Sequence, residues 1–590
     1  MNAPSLSLDL ATALVVLPGP RCALADGSGA RMARPPEARD LFDRGPVLVA
    51  HAGLTARRLG LATPPRARDL FDALELFVFV HPAKFCAPSA VGLAQALGLP
   101  EPKAVPDQAE TLQTACRLLL NALAEAPWPS REEALALAET LGRAGWAWAG
   151  SVITALRSRP VRDGFRGSGL EVWGRIPEWE DEAPLGPPGT RPITAEDSRK
   201  RLAELLARAG LDEARPTQAE FAYEAAHVFQ PREREGEPRM MLAEAGTGVG
   251  KTLGYLAPAS LWAEANGPAV WVSTYTRALQ RQIERESHAI HPDPAIRARK
   301  AVVRKGRENY LCLLNLQDQV QAAQLGNGDL IGLGLAARWV RATRDGDMTG
   351  GDFPAWLPTL FAVSPQMQAG AANLVDRRGE CVHAGCVHYR ACFIEKAVRA
   401  SRRADLVIAN HALVLTQAAF DGARAARGAK QDVETTVLKR IVFDEGHHLF
   451  DAADAAFSAA LSGAEAAELR RLHLILQVQQ AQVVLAALAH HGLAGADGGI
   501  GMDRMALPFD LPLQGAGVGG DPDGGTIGLG PQTGGRQIAE GLADAGARLR
   551  QHHARLALAL ARLEDVGGLK GVLGLGRAGF IQSRAGQQLG

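Results

Sequence analysis

The sequence predicts an α/β protein of several units, and three observations carry that class. Strand and helix signals alternate from about residue 215 to 280, the pattern of a parallel sheet with crossover helices. A glycine-rich turn ends in Gly250-Lys251-Thr252 and is followed at once by a helical pattern. A later apolar run, Ile441 to Phe443, ends in Asp444-Glu445, and open α/β sheets bind ligands at the C-terminal ends of their strands. The chain has 590 residues; roughly one domain per 100 to 200 residues gives three or four units.

Bulk composition removes some alternatives. Lys plus Arg and Asp plus Glu number 64 each, so any nucleic-acid surface is a local basic patch rather than a cationic body. The stretch "MNAPSLSLDLATALVVLPG" has Asp9 and no Lys or Arg before its short apolar run, unlike a secretory leader. No uncharged apolar stretch nears the roughly 18 residues of a membrane span. Four of the seven cysteines fall between residues 312 and 392, too few and too clustered for a disulfide scaffold. A reducing, cytoplasmic setting is expected, with Cys22, Cys86 and Cys116 buried and inert.

The elements follow in order. Residues 1–160 mix apolar segments ("PVLVAHAG", "LELFVFVH") with Ala/Leu-rich helical patterns, an N-terminal α/β module. Residues 161–193 contain "GSGLEVWGRIPEWEDEAPLGPPGTRP", whose Gly, Pro and acidic content reads as a linker. Thr194 with Asp197 makes a capping-box-like helix start, and that helix closes near Gly210. "MMLAEAGTGVGKTLGYLAPASLWAEA" reads as strand, turn and helix, and "AVWVSTYTRALQRQI" as strand then helix. Helical patterns at 455–492 and 537–565 flank a Gly-rich stretch.

The glycine turn has the composition of a phosphate loop. Backbone N–H groups of Ala245, Gly246, Thr247, Gly248, Val249 and Gly250 would wrap phosphate oxygens at a helix N-terminus; Ala245 stands where the usual spacing has its first glycine. Lys251 would reach the β and γ phosphates and the Thr252 hydroxyl would ligate magnesium. Asp444 would hold the same ion, and Glu445 would polarise the attacking water. Ser273, Thr274 and Thr276, at a strand-helix junction, suit a nucleic-acid phosphate.

Between the two halves of this site lies "CVHAGCVHYRAC". With Cys312 upstream, the spacing is C-x68-C-x4-C-x5-C through Cys381, Cys386 and Cys392. Four thiolates suit zinc or an iron-sulfur cluster, and His383 and His388 could serve zinc instead; the spacing does not choose. Arg304, Lys305 and Arg307 precede Cys312, Arg390, Lys396 and Arg399 surround or follow Cys392, and Tyr310, Tyr389 and Phe393 interleave. Charges among aromatic faces make a single-strand binding surface.

Taken in order, "RPTQ", "EAGTGVGKT", "STYTRALQRQ", "KGRENYLC", the three-cysteine cluster, "ADLVIANHALV" and "DEGH" resemble the DinG/XPD-type iron-sulfur DNA helicases of superfamily 2, and among them the bacterial DinG branch. The resemblance implies an α/β fold with a RecA-like P-loop NTPase domain (194–310 and 396–455), an iron-sulfur insertion (311–395) and a helical arch-like region with a Gly-rich loop (456–590). It implies ATP, Mg2+ and a 4Fe–4S cluster on the four cysteines, with both histidines outside the ligand set. Arg215 and Gln218 match the adenine-reading motif, and His447 ends a DEAH-like box in which Gly446 replaces Ala. Thr274, Thr276, Arg304, Lys305, Arg307 and Tyr310 are the expected DNA contacts. Single-stranded or forked DNA is the implied substrate, with 5'-3' movement, and repair or replication proteins are the implied partners.

Past residue 450 the family's Ser/Thr-Ala-Thr and Q-x-x-G-R-x-x-R motifs are not found; Gly576-Arg577 has Leu573 in place of Gln. The expectation is a truncated ATP-binding and DNA-binding half that hydrolyses ATP poorly and does not unwind DNA unaided. The rival is a non-translocating, ATP-binding, metal-containing nucleic-acid clamp or regulator. The N-terminal module is similar in outline to DnaQ-like 3'-5' exonuclease domains, yet it lacks the Asp-x-Glu pair near the first strand and has Ala56 in place of a further Asp. A two-metal nuclease needs those carboxylates, so a non-catalytic relic is expected, with an unrelated α/β module as the alternative.

Overall fold

Two sheets organise the chain, each built from apolar runs whose alternate side chains bury opposite faces. The structure is a computed structural model that describes residues 11–458, apart from 20, 62–69, 126–129, 161–164, 182–188, 212–214, 234–238, 247, 268, 327–328, 361–373, 377–380, 427–437 and 439, and residue 470. The chain divides into two units: Met1–Arg378 with Cys386–Phe457, and Gly379–Gly385 with Ser458–Gly590. The arch-like region expected at 456–590 lies outside the described residues except 456–458 and Arg470.

In the first sheet β1 (Thr12–Leu17), β2 (Arg21–Asp26) and β3 (Gly29–Ala33) are antiparallel neighbours. On the other edge β4 (Val47–Val49) and β5 (Leu70–Asp72) run parallel to β1, giving the order β3-β2-β1-β4-β5. Ala13, Val15, Ala23 and Ala25 share a core with Leu112, Ala115 and Leu119 of the helix Val105–Glu125. Leu14, Val16, Cys22 and Leu24 pack on Ala38 and Phe42 of the helix Pro35–Arg44.

The first of these cores crosses the expected boundaries. It takes in Leu311, Leu316, Trp339, Trp356 and Phe393 of the cysteine-bearing stretch. Polar contacts fasten the same junction: Trp356 Nε1 donates to the Cys86 carbonyl at 2.6 Å and His51 Nε2 meets Thr359 Oγ1 at 2.9 Å. The stretch expected as a linker joins it too, through buried Leu170, Val172 and Ile176. Gly169 lets it press onto a helix, because a Cβ there would lie 2.7 Å from the Leu137 Cβ, at a φ of 79°. Its Gly and Pro content reads as a spacer, but three spaced apolar side chains anchor its residues 170–176 to this core.

The second sheet is wholly parallel. β6 (Val270–Thr274), β7 (Ala301–Val303), β8 (Leu406–Asn410) and β9 (Arg440–Phe443) lie in the order β7-β8-β6-β9. Val270, Val272, Leu406 and Ile408 face Leu256, Ala259 and Ala263 of the helix Lys251–Asn266, and Trp271, Val407 and Ala409 face Ala404 and Val414. The Thr194 hydroxyl caps the helix Ala195–Arg208 by accepting from the Asp197 N–H at 3.0 Å, and Gly210 follows its end at φ 68°.

One expected strand is not formed. Met240, Met241 and Leu242, ahead of the glycine turn, are 86, 41 and 102% exposed and join no ladder. A strand exists only through its pairing, and among the described residues β9 pairs with β6 alone. Among the described residues no helix is long and apolar enough to cross a membrane.

Candidate nucleotide site

The glycine turn and the strand ends of the second sheet converge. Gly250 N-caps the helix Lys251–Asn266 at φ 86°, and Gly248 stands at φ 85°, left-handed positions that glycine takes without a Cβ penalty. Ala245 and Val249 are half-buried and Gly246 is exposed, while Thr247 lies outside the described residues. Arg215 and Gln218 hold the loop from behind: Arg215 Nη1 donates to the Gly248 carbonyl at 2.9 Å, and Gln218 Nε2 donates to the Gly250 carbonyl at 2.7 Å. Gln218 is 2% exposed, and its Oε1 has no hydrogen-bond partner among the described residues. Both motif residues therefore brace the loop backbone, and one acceptor remains open.

Lys251 Nζ lies 3.0 Å from Glu445 Oε1, bridging 194 residues of sequence. This ammonium, as donor and as charge, holds the Glu445 carboxyl below its ordinary range. Asp444 moves the opposite way: burial first, then the Glu445 charge, raise its carboxyl, while the Thr274 hydroxyl donates to it at 3.3 Å. The Asp444 N–H donates to the Ser273 carbonyl at 2.8 Å, fixing the strand end. Glu445 itself is left-handed at φ 56°, a strain of about 1–3 kcal/mol of the kind that collects at functional sites. His447 is exposed, with Nδ1 3.6 Å from Glu445 Oε2; its ring lies 4.0 Å from that of His448, which stacks on Tyr275 at 3.9 Å.

One neighbour, Glu286, escaped sequence reasoning, and another, His411, lies inside the quoted "ADLVIANHALV" motif. Glu286, at the end of the helix Arg277–Glu286, shares a hydrogen bond with the Thr252 side chain; burial raises its carboxyl, and the Asp444 charge raises it further. His411, 1% exposed, meets Ser273 Oγ through Nδ1 at 2.7 Å. Nothing in "RQIERES" distinguishes Glu286 from Glu284. Asp444 and Glu445 thus face Lys251, with Glu286 within electrostatic reach of Asp444, an acidic cluster of the kind that a divalent cation relieves; Thr252 and Asp444 supply the oxygen donors magnesium prefers.

No family model matches the chain. Curated relatives do. The ATP-dependent DNA helicase YoaA of Haemophilus influenzae is 30% identical over 250 residues, covering 42% of this chain and 35% of that protein. The ATP-dependent DNA helicase DinG of Photobacterium profundum is 32% identical over 232 residues, 38% of this chain and 31% of its own. Over these residues the chain is similar to DinG-type helicases. The 3'-5' exonuclease DinG of Bacillus subtilis is 28% identical over 256 residues, 43% of this chain and 24% of that protein. The chain thus spans about a third or less of the length of these DinG-type relatives.

The four clustered cysteines fall in both units. Cys312 N-caps the helix Leu313–Gln324 and Cys392 N-caps the helix Phe393–Arg403, positions whose dipole favours a thiolate. Burial drives the Cys312 thiol well up, and the charges of Asp376, Cys386 and Cys392 add to the rise, so these three cysteines lie within electrostatic reach. Cys381 belongs to the second unit, where its sulfur accepts from the His383 N–H at 3.3 Å. Among the described residues no group of three or more His, Cys, Asp or Glu stands ready to hold a metal ion. His388 is turned to Gln317 Oε1 at 2.7 Å, and burial lowers its pKa to about 4. Cys22, Cys86 and Cys116 are buried, and burial raises all three thiols, Cys86 to about 12.

Most of the expected DNA contacts are committed elsewhere. Thr274 is fully buried and bonded to Asp444, and Ser273 is equally buried. Arg304, 9% exposed, reaches Gln417 Oε1 at 3.0 Å and lies over Trp271; Lys305 pairs with Asp347; Arg307 Nε lies 2.7 Å from Asp376 Oδ2, which is 2% exposed. Tyr310 is buried, its hydroxyl accepting from the Lys305 N–H. Of the six, Thr276 stands exposed, capping its helix through the Leu279 N–H. The basic run before Cys312 is mainly a set of internal ion pairs, since each charge found a partner far along the chain.

Proposed function

We propose that the chain is the nucleotide-holding part of an ATP-dependent 5'-3' DNA helicase of the DinG type, acting on single-stranded or forked DNA in repair or replication and working in the cytoplasm. The observation that carries the reading is the meeting of Lys251, Thr252, Asp444 and Glu445 at one end of a parallel sheet, in a chain whose relatives are named helicases. The loop amides from Gly246 to Gly250 would bind phosphate, Lys251 would neutralise the terminal phosphates, and Thr252 with Asp444 would hold Mg2+, which supplies charge neutralisation on the transferred phosphoryl group. Glu445 would orient water and accept its proton. Arg215 and Gln218 would read the adenine from the back of the loop.

The four cysteines, Cys312, Cys381, Cys386 and Cys392, are proposed to hold a 4Fe–4S cluster that braces the surrounding stretch. Two thiols at helix N-termini and the mutual influence of three of them support the donor set. The N-terminal module is proposed as an exonuclease-like domain without activity. β1, "TALVVL", carries no carboxylate, and buried Asp72 is saturated by the N–H groups of His51, Ala52 and Leu74.

Calorimetric titration with MgATP and a DNA-stimulated phosphate-release assay test the central reading. The purified chain should bind MgATP, and Lys251→Ala should weaken binding at least tenfold; equal binding by both proteins would refute the assigned site. Hydrolysis by this chain should be slow and a forked duplex should stay paired, so unwinding by the purified protein would overturn that part.

A further inference from the structure

Not every basic residue near the cysteines is buried in an ion pair of the fold. Tyr389, Arg390, Lys396 and Arg399, the last also paired with Glu395 at 2.9 Å, form a partly exposed patch around Cys392, and a segment of the chain itself lies on it. Trp179 sits with the Arg399 guanidinium 3.4 Å and the Arg390 guanidinium 4.8 Å from its ring centroid, and packs edge-on against Tyr389 at 5.7 Å. Its backbone N–H donates to the Arg390 carbonyl at 2.9 Å and its Nε1 to the Tyr389 carbonyl at 3.2 Å. Glu178 and Asp181 place carboxylate oxygens 3.0 and 3.3 Å from the Arg390 guanidinium, and Lys396 Nζ donates to the Pro177 carbonyl at 2.6 Å.

A flat ring against two guanidiniums, with anionic oxygens on one of them, is the set of groups that a nucleotide of a single strand presents. The segment is fastened up to Ile176, which is 8% exposed, and lightly held beyond it: the Glu178, Asp181 and Arg390 side chains are 65, 74 and 48% exposed. Exposed ion pairs of this kind are weak and salt-sensitive. We propose that Pro177–Asp181 is a detachable strap that imitates a nucleotide and covers a single-stranded DNA site built from Tyr389, Arg390, Lys396 and Arg399. The strap gates that site: DNA binds when it displaces Trp179 and the two carboxylates. This rests on the DNA-binding reading above, and adds a site and its regulation.

The test is the affinity of the full chain for a fluorescent oligo(dT), by anisotropy at fixed salt. Glu178→Gln with Asp181→Asn alters exposed groups isosterically and leaves folding intact; Trp179→Ala is the second variant. Each should tighten binding about three- to tenfold, the double variant by removing two exposed ion pairs and Trp179→Ala by removing two cation–π contacts, and Arg399→Ala in the Trp179→Ala background should cancel the gain. Unchanged affinity in both strap variants, with the parent chain binding oligo(dT), would overturn the strap and leave the DNA-binding reading standing. Absence of binding in every variant would overturn the DNA-binding reading itself, and the strap with it.

Discussion

Gly250→Ala tests how tightly the phosphate loop is held from behind. An added Cβ would lie 2.3 Å from Gln218 Nε2 and 2.7 Å from Gln218 Cδ, at a φ of 86°. Left-handed backbone costs an alanine about 1–2 kcal/mol. Gln218 is a flexible side chain, but at 2% exposure it has nowhere to go; moving it breaks the 2.7 Å bond to the Gly250 carbonyl and strands a buried amide whose Oε1 already lacks a partner. That loss adds about 1–2 kcal/mol, for a total of about 2–4 kcal/mol. Hydrogen exchange of the helix Lys251–Asn266, read by mass spectrometry, measures this as local opening. Protected amides should exchange about 30- to 1000-fold faster, at roughly tenfold per 1.4 kcal/mol. In a Gln218→Ala background the steric part vanishes and the same substitution should cost only the strain, about 5- to 30-fold. An equal acceleration in both backgrounds would refute the coupling, because the cost would then reside in the backbone alone.

The other predictions concern metal, protons and the basic run. Cys386→Ser should lower the iron content and the broad visible absorbance of anaerobically purified protein while leaving MgATP binding in place; stoichiometric zinc in the parent chain without that absorbance would refute the cluster. Burial and the Asp444 charge hold the Glu286 carboxyl above its ordinary value, so the fold favours its protonated form. Its stabilising contribution is full below the ordinary carboxylate range and is lost as pH rises through the elevated folded-state value. Glu286→Gln should therefore raise the thermal midpoint at neutral pH, with the gain shrinking toward pH 4; a gain independent of pH would count against this account. Arg307→Ala should destabilise the fold by about 2–4 kcal/mol, because it takes the guanidinium from a carboxylate that is 2% exposed; a uniform loss of DNA affinity with an unchanged thermal midpoint would restore Arg307 to the DNA surface.

Local chemistry was legible in the sequence where neighbours in sequence are neighbours in space. The Thr194 cap, the turn before Lys251 and the delivery of Asp444 by an apolar strand are all of that kind. Non-local pairing was not legible. Lys305 and Arg307 find Asp347 and Asp376 at separations of 42 and 69 residues, and no local pattern distinguishes such basic side chains from phosphate ligands. The apolar "MML" segment had the composition of a strand, but composition supplies no partner, and its side chains stand in solvent. The shared core was hidden for a related reason: Leu170, Val172 and Ile176 lie in a stretch whose glycines and prolines dominate its appearance, and their burial depends on residues up to about 200 positions away.

In the proposed site the ion pair between Lys251 and Glu445 would link nucleotide occupancy to the readiness of the base. A carboxylate held below its ordinary pKa by an ammonium 3.0 Å away is a poor proton acceptor. Terminal phosphates carry more negative charge than Glu445 and compete for the same Nζ. If Lys251 turned to them, Glu445 would lose the donor and the charge that chiefly lower it, while burial would still act to raise it. In the proposed site its basicity would then rise as substrate arrives, and the strained residue at φ 56° would change from a paired to an unpaired carboxylate. Lys251→Met should reproduce the electrostatic half of that change without nucleotide: the Glu445 carboxyl, followed by carbon-13 chemical shift against pH, should titrate higher than in the parent chain. An unchanged titration would show that the lysine does not set the proton affinity of the base, and that the pairing is only a resting geometry.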